Sequence, residues 1–305
     1  MTRYILKRLL QGIIALFLSS IIIFILLRMT GDPTALLLTP EATLDDIAAL
    51  RTQLGLDQPY PVQYLLFMKD MVQLDFGESL FYRRPVFDLI MSRFPATLQL
   101  AIIANVVSLL IAVPFGVIAA TKREKWPDTM AKAVAIIGQS MPVFWLAIVL
   151  IQIFSVMLGW LPSSGYGGVQ YLILPCIALG FHSVAAVLRL TRSSMLDVLS
   201  SDFVRLARIK GLSDRLVIWK HALRNSLIPV VTFAAIHFVR TLAGSVVVET
   251  IFAWPGVGRL AYEAVIRRDF PVEQGILVLF TAIFIMFNLL VDIMYLFLDP
   301  RVKLK

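Results

Sequence analysis

The chain has 305 residues, 59% of them hydrophobic and 16% charged, with a mean hydropathy of +0.83, whereas soluble domains run near about 50% apolar and about 25% charged. Water is therefore not its main solvent, and the formal charge of +8 raises nucleic acid as a partner only if the basic residues form a patch of their own. The single cysteine, Cys176, excludes an intrachain disulfide framework and a zinc site made of cysteines.

Arg3, Lys7 and Arg8 precede an uncharged run from Leu9 to Leu27. That run is longer than the apolar core of a secretory signal, and no A-x-A-like site follows it, so a retained transmembrane helix is expected. Six segments reach the roughly 20 residues needed to cross a bilayer: 9–29, 97–120, 133–157, 170–190, 227–249 and 276–298. The third and fourth share one uncharged run, Ala133 to Leu188. It divides at Gly159-Trp160-Leu161-Pro162-Ser163-Ser164-Gly165, where Gly and Pro break helices. Trp160, Tyr166 and Tyr171 there suit a membrane interface.

With the N-terminus inside, the cytoplasmic segments are 1–8, 121–132, 189–226 and 299–305. They hold 18 of the 28 Lys and Arg residues, while the loop at 30–96 holds five basic and nine acidic ones. The positive-inside bias therefore predicts both termini in the cytoplasm. The basic residues border membrane spans in four separate segments, so a nucleic-acid module is not indicated. In the first external loop, Thr43 to Leu54 reads as a short amphipathic helix with Thr43 as N-cap and Gly55 as its stop, and Val62 to Leu74 as a second. A small external helical subdomain is expected there, which makes 1–96 one region and 97–305 another.

Spans two and three carry Asn105, Gln139 and Ser140. These are expected to hydrogen-bond between helices or to line a pathway, with a kink at Gln139-Ser140-Met141-Pro142. Gly116 and Gly138 suit close helix approach. His182 and His221 read as structural hydrogen-bonding groups rather than nickel ligands, because no second ligand lies at helical spacing from either. The scattered methionines favour packing over a soft-metal path.

The segment about 189–226 is the most informative. Asp202 reads as an N-cap and Gly211 as the residue after the helix end, which brackets about two turns. Phe203, Leu206, Ala207 and Lys210 lie at i, i+3, i+4 and i+7, an apolar stripe ending in a charge. Such a short helix persists only when docked. An interfacial helix on anionic lipid is the plain alternative.

Phe203-Val204-Arg205-Leu206-Ala207-Arg208-Ile209-Lys210-Gly211 resembles the Glu-Ala-Ala loop of permease subunits in bacterial binding-protein-dependent ABC importers, specifically the dipeptide, oligopeptide, glutathione and nickel branch. Ala207 and Gly211 match the family's second alanine and its glycine; Arg205 stands for the eponymous Glu and Leu206 for the first alanine. The resemblance extends along the chain through Gly31-Asp32-Pro33, Leu54-Gly55-Leu56-Asp57-Gln58-Pro59, Asp75-Phe76-Gly77, Arg93-Phe94-Pro95-Ala96-Thr97-Leu98, Val248-Glu249-Thr250-Ile251-Phe252-Ala253-Trp254-Pro255-Gly256 and Asp299-Pro300-Arg301.

The resemblance implies an all-α, multi-pass protein of the bacterial inner membrane: a type I importer permease core of five spans with an added N-terminal span and external loop. It implies a second homologous permease, two ATP-binding subunits and an external substrate-binding protein as partners, besides membrane lipid. Phe203, Arg205, Leu206, Ala207, Arg208, Lys210 and Gly211 would then couple to the ATPases. Peptides lead as cargo, with nickel chelates and oligosaccharides as alternatives.

The chain itself lacks the machinery of an enzyme. No Gly-Lys pair occurs, so no phosphate-cradling G-x-x-x-x-G-K-[ST] loop is present, and ATP and Mg are expected on the partner subunits with no cofactor here. H-E-x-x-H and G-x-S-x-G are also missing. A self-contained ion-coupled carrier commonly places several ionisable groups at mid-membrane. Here only Arg240 and Asp292 lie away from span ends. A charge at mid-span costs at least about 2.5 kcal/mol, so Arg240 is expected to face protein or water. Asp292 is one candidate partner, offset in depth by roughly 10 Å at about 1.5 Å per residue. His237 lies three residues before Arg240 and shares its helical face, so the two also suit a substrate carboxylate.

Overall fold

The structure is a computed structural model and describes residues 2–29, 43, 45, 48, 51, 52 and 55–298. Among them the regular elements are helices: α1 Thr2–Met29, α2 Tyr60–Val72, α3 Val86–Thr121, α4 Trp126–Ser140, α5 Val143–Met157, α6 Val169–Leu199, α7 Asp202–Ile209, α8 Asp214–Ile251, α9 Val257–Arg267 and α10 Phe270–Leu298. Five of these, α1, α3, α6, α8 and α10, are individually long and apolar enough to span a bilayer, and α4 with α5 supplies a sixth crossing if the bent pair is one span.

All six expected segments are therefore helical, and the division at 159–165 falls in the non-helical stretch between α5 and α6. The helix expected over Thr43–Leu54 lies largely outside the described residues. Its stop is present at Gly55, whose φ is +65° and whose N–H donates to the Thr52 carbonyl at 3.0 Å. The second loop helix forms as α2, two residues earlier than expected, because Pro59 and Pro61 supply a helix start that needs no N–H.

Two elements differ from expectation in an instructive way. The kink expected at Met141-Pro142 is a full break: α4 ends at Ser140, and α5 departs at 106°. Met141 and Pro142 are both extended, with ψ of 125° and 136°, since a residue before proline is driven out of the α region. Helix α3 starts at Val86, 11 residues ahead of the expected 97, and continues through Pro95. Val86, Leu89 and Ile90 are buried in a local core, and that burial outweighs the hydrogen bond a mid-helix proline forfeits.

The described chain divides into two compact units, one formed by Met1–Pro95 with Gly256–Leu289 and the other mainly by Ala96–Pro255. In the first, Phe67, Phe76, Val86, Ile90, Leu260 and Ile276 form the core. Asp269 is buried there and accepts from the Ser79 hydroxyl at 2.5 Å and from the backbone N–H groups of Leu80 and Phe81, which ties the turn before α3 to the turn before α10.

The second unit is built on α6. Helices α4 and α3 approach it closely because glycines stand at the crossings. A Cβ at Gly138 would lie 2.6 Å from that of Ala185, and one at Gly116 would lie 2.7 Å from that of Thr191. Trp254 is fully buried in this unit. Its indole N–H donates to the Ala96 carbonyl at 2.9 Å, and its ring meets Tyr166 edge-on at 4.7 Å.

Candidate functional site: the short helix α7 and a basic patch on α6 and α8

Helix α7 is held at one end of the second unit by a single fully buried side chain. Val204 is 0% exposed, in a cluster with Val117 and Ala120 of α3, Met195 of α6, and Val217 and Ala222 of α8. Ala207 packs against the same cluster. The apolar stripe read from the sequence is therefore divided. Ala207 turns inward with Val204, while Phe203, Leu206 and Ile209 remain 43%, 56% and 74% exposed. Burying a side chain of this size contributes about 1.5–3 kcal/mol, so the open face of α7 holds a considerable unused driving force for docking. Arg205, Arg208, Lys210 and Gly211 are exposed around it.

The ends of α7 are well defined. Ser201 occupies the N-cap position, one residue earlier than expected, and Asp202 becomes the first helical residue, where its charge faces the positive end of the helix dipole. Ser201 takes the cap because its own backbone is extended, with ψ of 153°. At the other end Gly211 adopts φ of +77°. Its N–H donates to the Arg208 carbonyl, and the Leu212 N–H reaches the Ala207 carbonyl, the 5→2 and 6→1 pair of a Schellman motif. Open space surrounds the position of a Cβ at Gly211, so the glycine is required by backbone conformation and not by crowding.

A buried ion cluster underlies this end of the unit. Asp128, in the first turn of α4, is 0% exposed. It accepts from Arg192 Nε and Nη2 of α6, from the Glu124 backbone N–H at 3.0 Å, and from Lys132 Nζ at 3.0 Å. Sequence reasoning missed it. The available signal was Asp128 itself, one of two acids with Glu124 among four basic residues at 121–132, shortly before an apolar run.

The polar groups expected along the spans separate into two sets. Asn105 is buried, and its amide donates to Ala101 of its own helix at 2.8 Å; the Ser140 hydroxyl likewise donates to Ile136 at 2.9 Å. An i−4 carbonyl is within easy reach of such short side chains. Gln139 is exposed beside Ser140 at the α4–α5 break. Among the described residues no hydrogen bond joins Asn105 to Gln139 or Ser140, and none joins the three to the second set.

That second set lies where α6 meets α8. The rings of His182 and His237 stack at 5.9 Å between centroids with 25° between planes. His237 Nδ1 lies 3.2 Å from Thr241 Oγ1 and 3.4 Å from Ser183 Oγ. Arg240, one turn further along α8, is exposed. The partner of His237 comes from another helix, which spacing along one helix could not reveal. The Asp292 side chain, the other partner considered for Arg240, lies outside the described residues. An apolar groove of about 610 Å³ between α3, α4 and α6, lined by Ile111, Phe115, Val134 and Phe181, contains none of these groups.

Comparison with known proteins agrees with this architecture. Residues 112–304 match the family described as binding-protein-dependent transport system inner membrane component, and residues 1–101 match its N-terminal companion. The glutathione transport system permease protein GsiC of Escherichia coli (strain K12) is 45% identical over 306 residues, covering 100% of both chains. The protein of that name from Shigella dysenteriae serotype 1 (strain Sd197) gives the same values. Among solved structures, an inward-facing MetNI methionine ABC transporter chain aligns with a TM-score of 0.59 at 20% identity, covering 69% of this chain and 96% of that one. An amino acid ABC transporter determined with histidines gives 0.51 at 18%, covering 68% and 93%. At these identities the two structures show a shared fold.

Proposed function

The chain belongs to the inner membrane components of binding-protein-dependent transport systems, and from that premise we propose that it forms half of the pathway by which glutathione or a similarly short peptide is imported. It is a multi-pass inner-membrane permease subunit of an ABC importer. In the proposed assembly a second, homologous permease completes the pathway, two separate subunits bind ATP and Mg, and an external protein delivers the cargo.

The observation that carries this reading is the open apolar face of α7. A soluble surface has no use for Phe203, Leu206 and Ile209 exposed side by side on an eight-residue helix. A groove in an ATPase subunit would cover them. Closure of the ATP-bound ATPases then moves α7, and with it the ends of α3, α6 and α8 that share its core, which is how one local displacement reaches several spans. The 45% identity to a glutathione permease along the whole chain supports the cargo class.

The test is reconstitution of the complete complex in proteoliposomes with its binding protein. Labelled glutathione should accumulate only when ATP is available to the ATPases. Uptake driven by an ion gradient with no ATP would contradict the reading.

A further inference from the structure

We propose that His182, His237 and Arg240 form an intramembrane subsite for the carboxylate of the transported solute, a reading that rests on the pathway function above. His182 and Arg240 are both exposed although they sit well inside α6 and α8. Lipid is an unsuitable neighbour for an arginine at that depth, because hydrocarbon cannot solvate the guanidinium charge. A water-filled pathway is a suitable one.

The chemistry of the patch is one-signed. Between residues 169 and 251 the carboxylates are Asp197, Asp202, Asp214 and Glu249. Glu249 is nine residues beyond Arg240, about 13 Å along the helix, and is fully buried with the Ser245 hydroxyl donating to it at 2.9 Å. Neither helix therefore brings an acid to the level of the three basic groups, and among the described residues Arg240 makes no ion pair. Arg189 lies seven residues after His182 and is also exposed, which extends the same basic face by about two turns.

The histidine pair is oriented rather than loose. The Thr241 hydroxyl donates to the His237 carbonyl at 2.9 Å, while the Ser183 hydroxyl lies 3.4 Å from His237 Nδ1, within reach to donate to it. With Nδ1 accepting, the ring proton sits on Nε2, the nitrogen that can donate to a solute carboxylate. Stacking on His182 holds the ring plane. A planar guanidinium one turn away offers the paired N–H groups that match a carboxylate. Phe233, 5.5 Å from the His237 ring centre, gives the patch an apolar flank.

Two measurements on the reconstituted complex test the subsite. The first compares uptake of glutathione with uptake of its diethyl ester, in which both carboxylates are masked. Arg240→Gln should lower glutathione uptake about tenfold or more with much less effect on the ester, and Arg240→Lys should restore part of the loss. Equal losses for acid and ester would overturn the proposal. So would an Arg240→Ala, Asp292→Ala double variant that regains what each single change lost, because that result identifies a structural ion pair.

The second measurement does not depend on which solute is carried. In a Cys176→Ser background, His182→Cys is exposed to a thiosulfonate reagent bearing a sulfonate while the complex turns over ATP. Labelling should occur, and adding Arg240→Gln should slow it about tenfold while leaving a neutral reagent's rate unchanged. Absence of labelling, or labelling indifferent to the arginine, overturns the subsite. A wild-type complex that carries neither glutathione nor its ester but labels as expected would refute the cargo class alone.

Discussion

Arg192 of α6 places two guanidinium nitrogens on the two carboxylate oxygens of Asp128 in α4, and this forked pair joins α4 to the helix on which the second unit is built. Asp128 has no exposure, whereas the Arg192 side chain keeps 19%. The aspartate is the member that depends on its partners.

Breaking one side of a buried pair leaves an uncompensated charge, which typically destabilises by about 3 kcal/mol or more. Asp128→Asn is therefore expected to lower the thermal midpoint of the detergent-solubilised complex clearly, with Arg192→Gln doing the same. Thermal unfolding followed by loss of the monodisperse chromatographic peak measures it. An unchanged midpoint for Asp128→Asn would show that the pair is not holding α4 to α6.

A second charge cluster, in the first unit, predicts a pH dependence. The Tyr82 hydroxyl donates to Glu263 Oε2 at 2.6 Å, and Arg259 Nε donates to Oε1 at 2.8 Å. Burial pushes the Glu263 carboxyl up, but the Tyr82 hydrogen bond and the charges of Arg259 and Arg93 together hold it below its ordinary value. Burial and the adjacent Glu263 hold the Tyr82 phenol above its own. A depressed carboxyl stabilises the fold fully above the unfolded carboxylate value near about 4.3, and that contribution is lost as pH falls through the folded value. The stability difference between the native protein and Glu263→Gln should accordingly be constant near neutrality and shrink on acidification through the carboxylate range. A difference independent of pH would contradict the assignment.

Topology follows from charge placement and is directly checkable. Reporter fusions after residue 80 should report the external side, and fusions after residue 125 or 212 the cytoplasm. A cytoplasmic signal at residue 80 would invert the arrangement and place α7 where no ATPase could reach it.

The spans were legible because each is a run of about 20 apolar residues, a signal that needs no tertiary information. The bounds of α7 were nearly so, since Gly211 and the Ser201-Asp202 pair are local stop and start signals. What stayed hidden depends on contacts between distant residues. The division of the α7 stripe is set by Val204 entering a cavity between α3, α6 and α8. The extension of α3 through Pro95 is set by the core around Val86 and Ile90. The proline at 142 announced a disturbance, but its 106° size comes from two consecutive extended residues. From the sequence His182 stands isolated, because its neighbour His237 is 55 residues away in the chain and meets it only through helix packing.

The central claim, that α7 carries the ATPase movement into the spans, is tested most directly by Ala207→Asp measured for ATP hydrolysis and uptake in the same proteoliposomes. Ala207 packs at the rim of the cluster that seats α7, so a charge there should disturb the seat while leaving the spans inserted. The expected result is a subunit present in the membrane at normal amount, with ATP hydrolysis no longer stimulated by the loaded binding protein and uptake reduced about tenfold or more, a loss of at least about 1.4 kcal/mol in coupling. Normal uptake with normal stimulation would contradict the account.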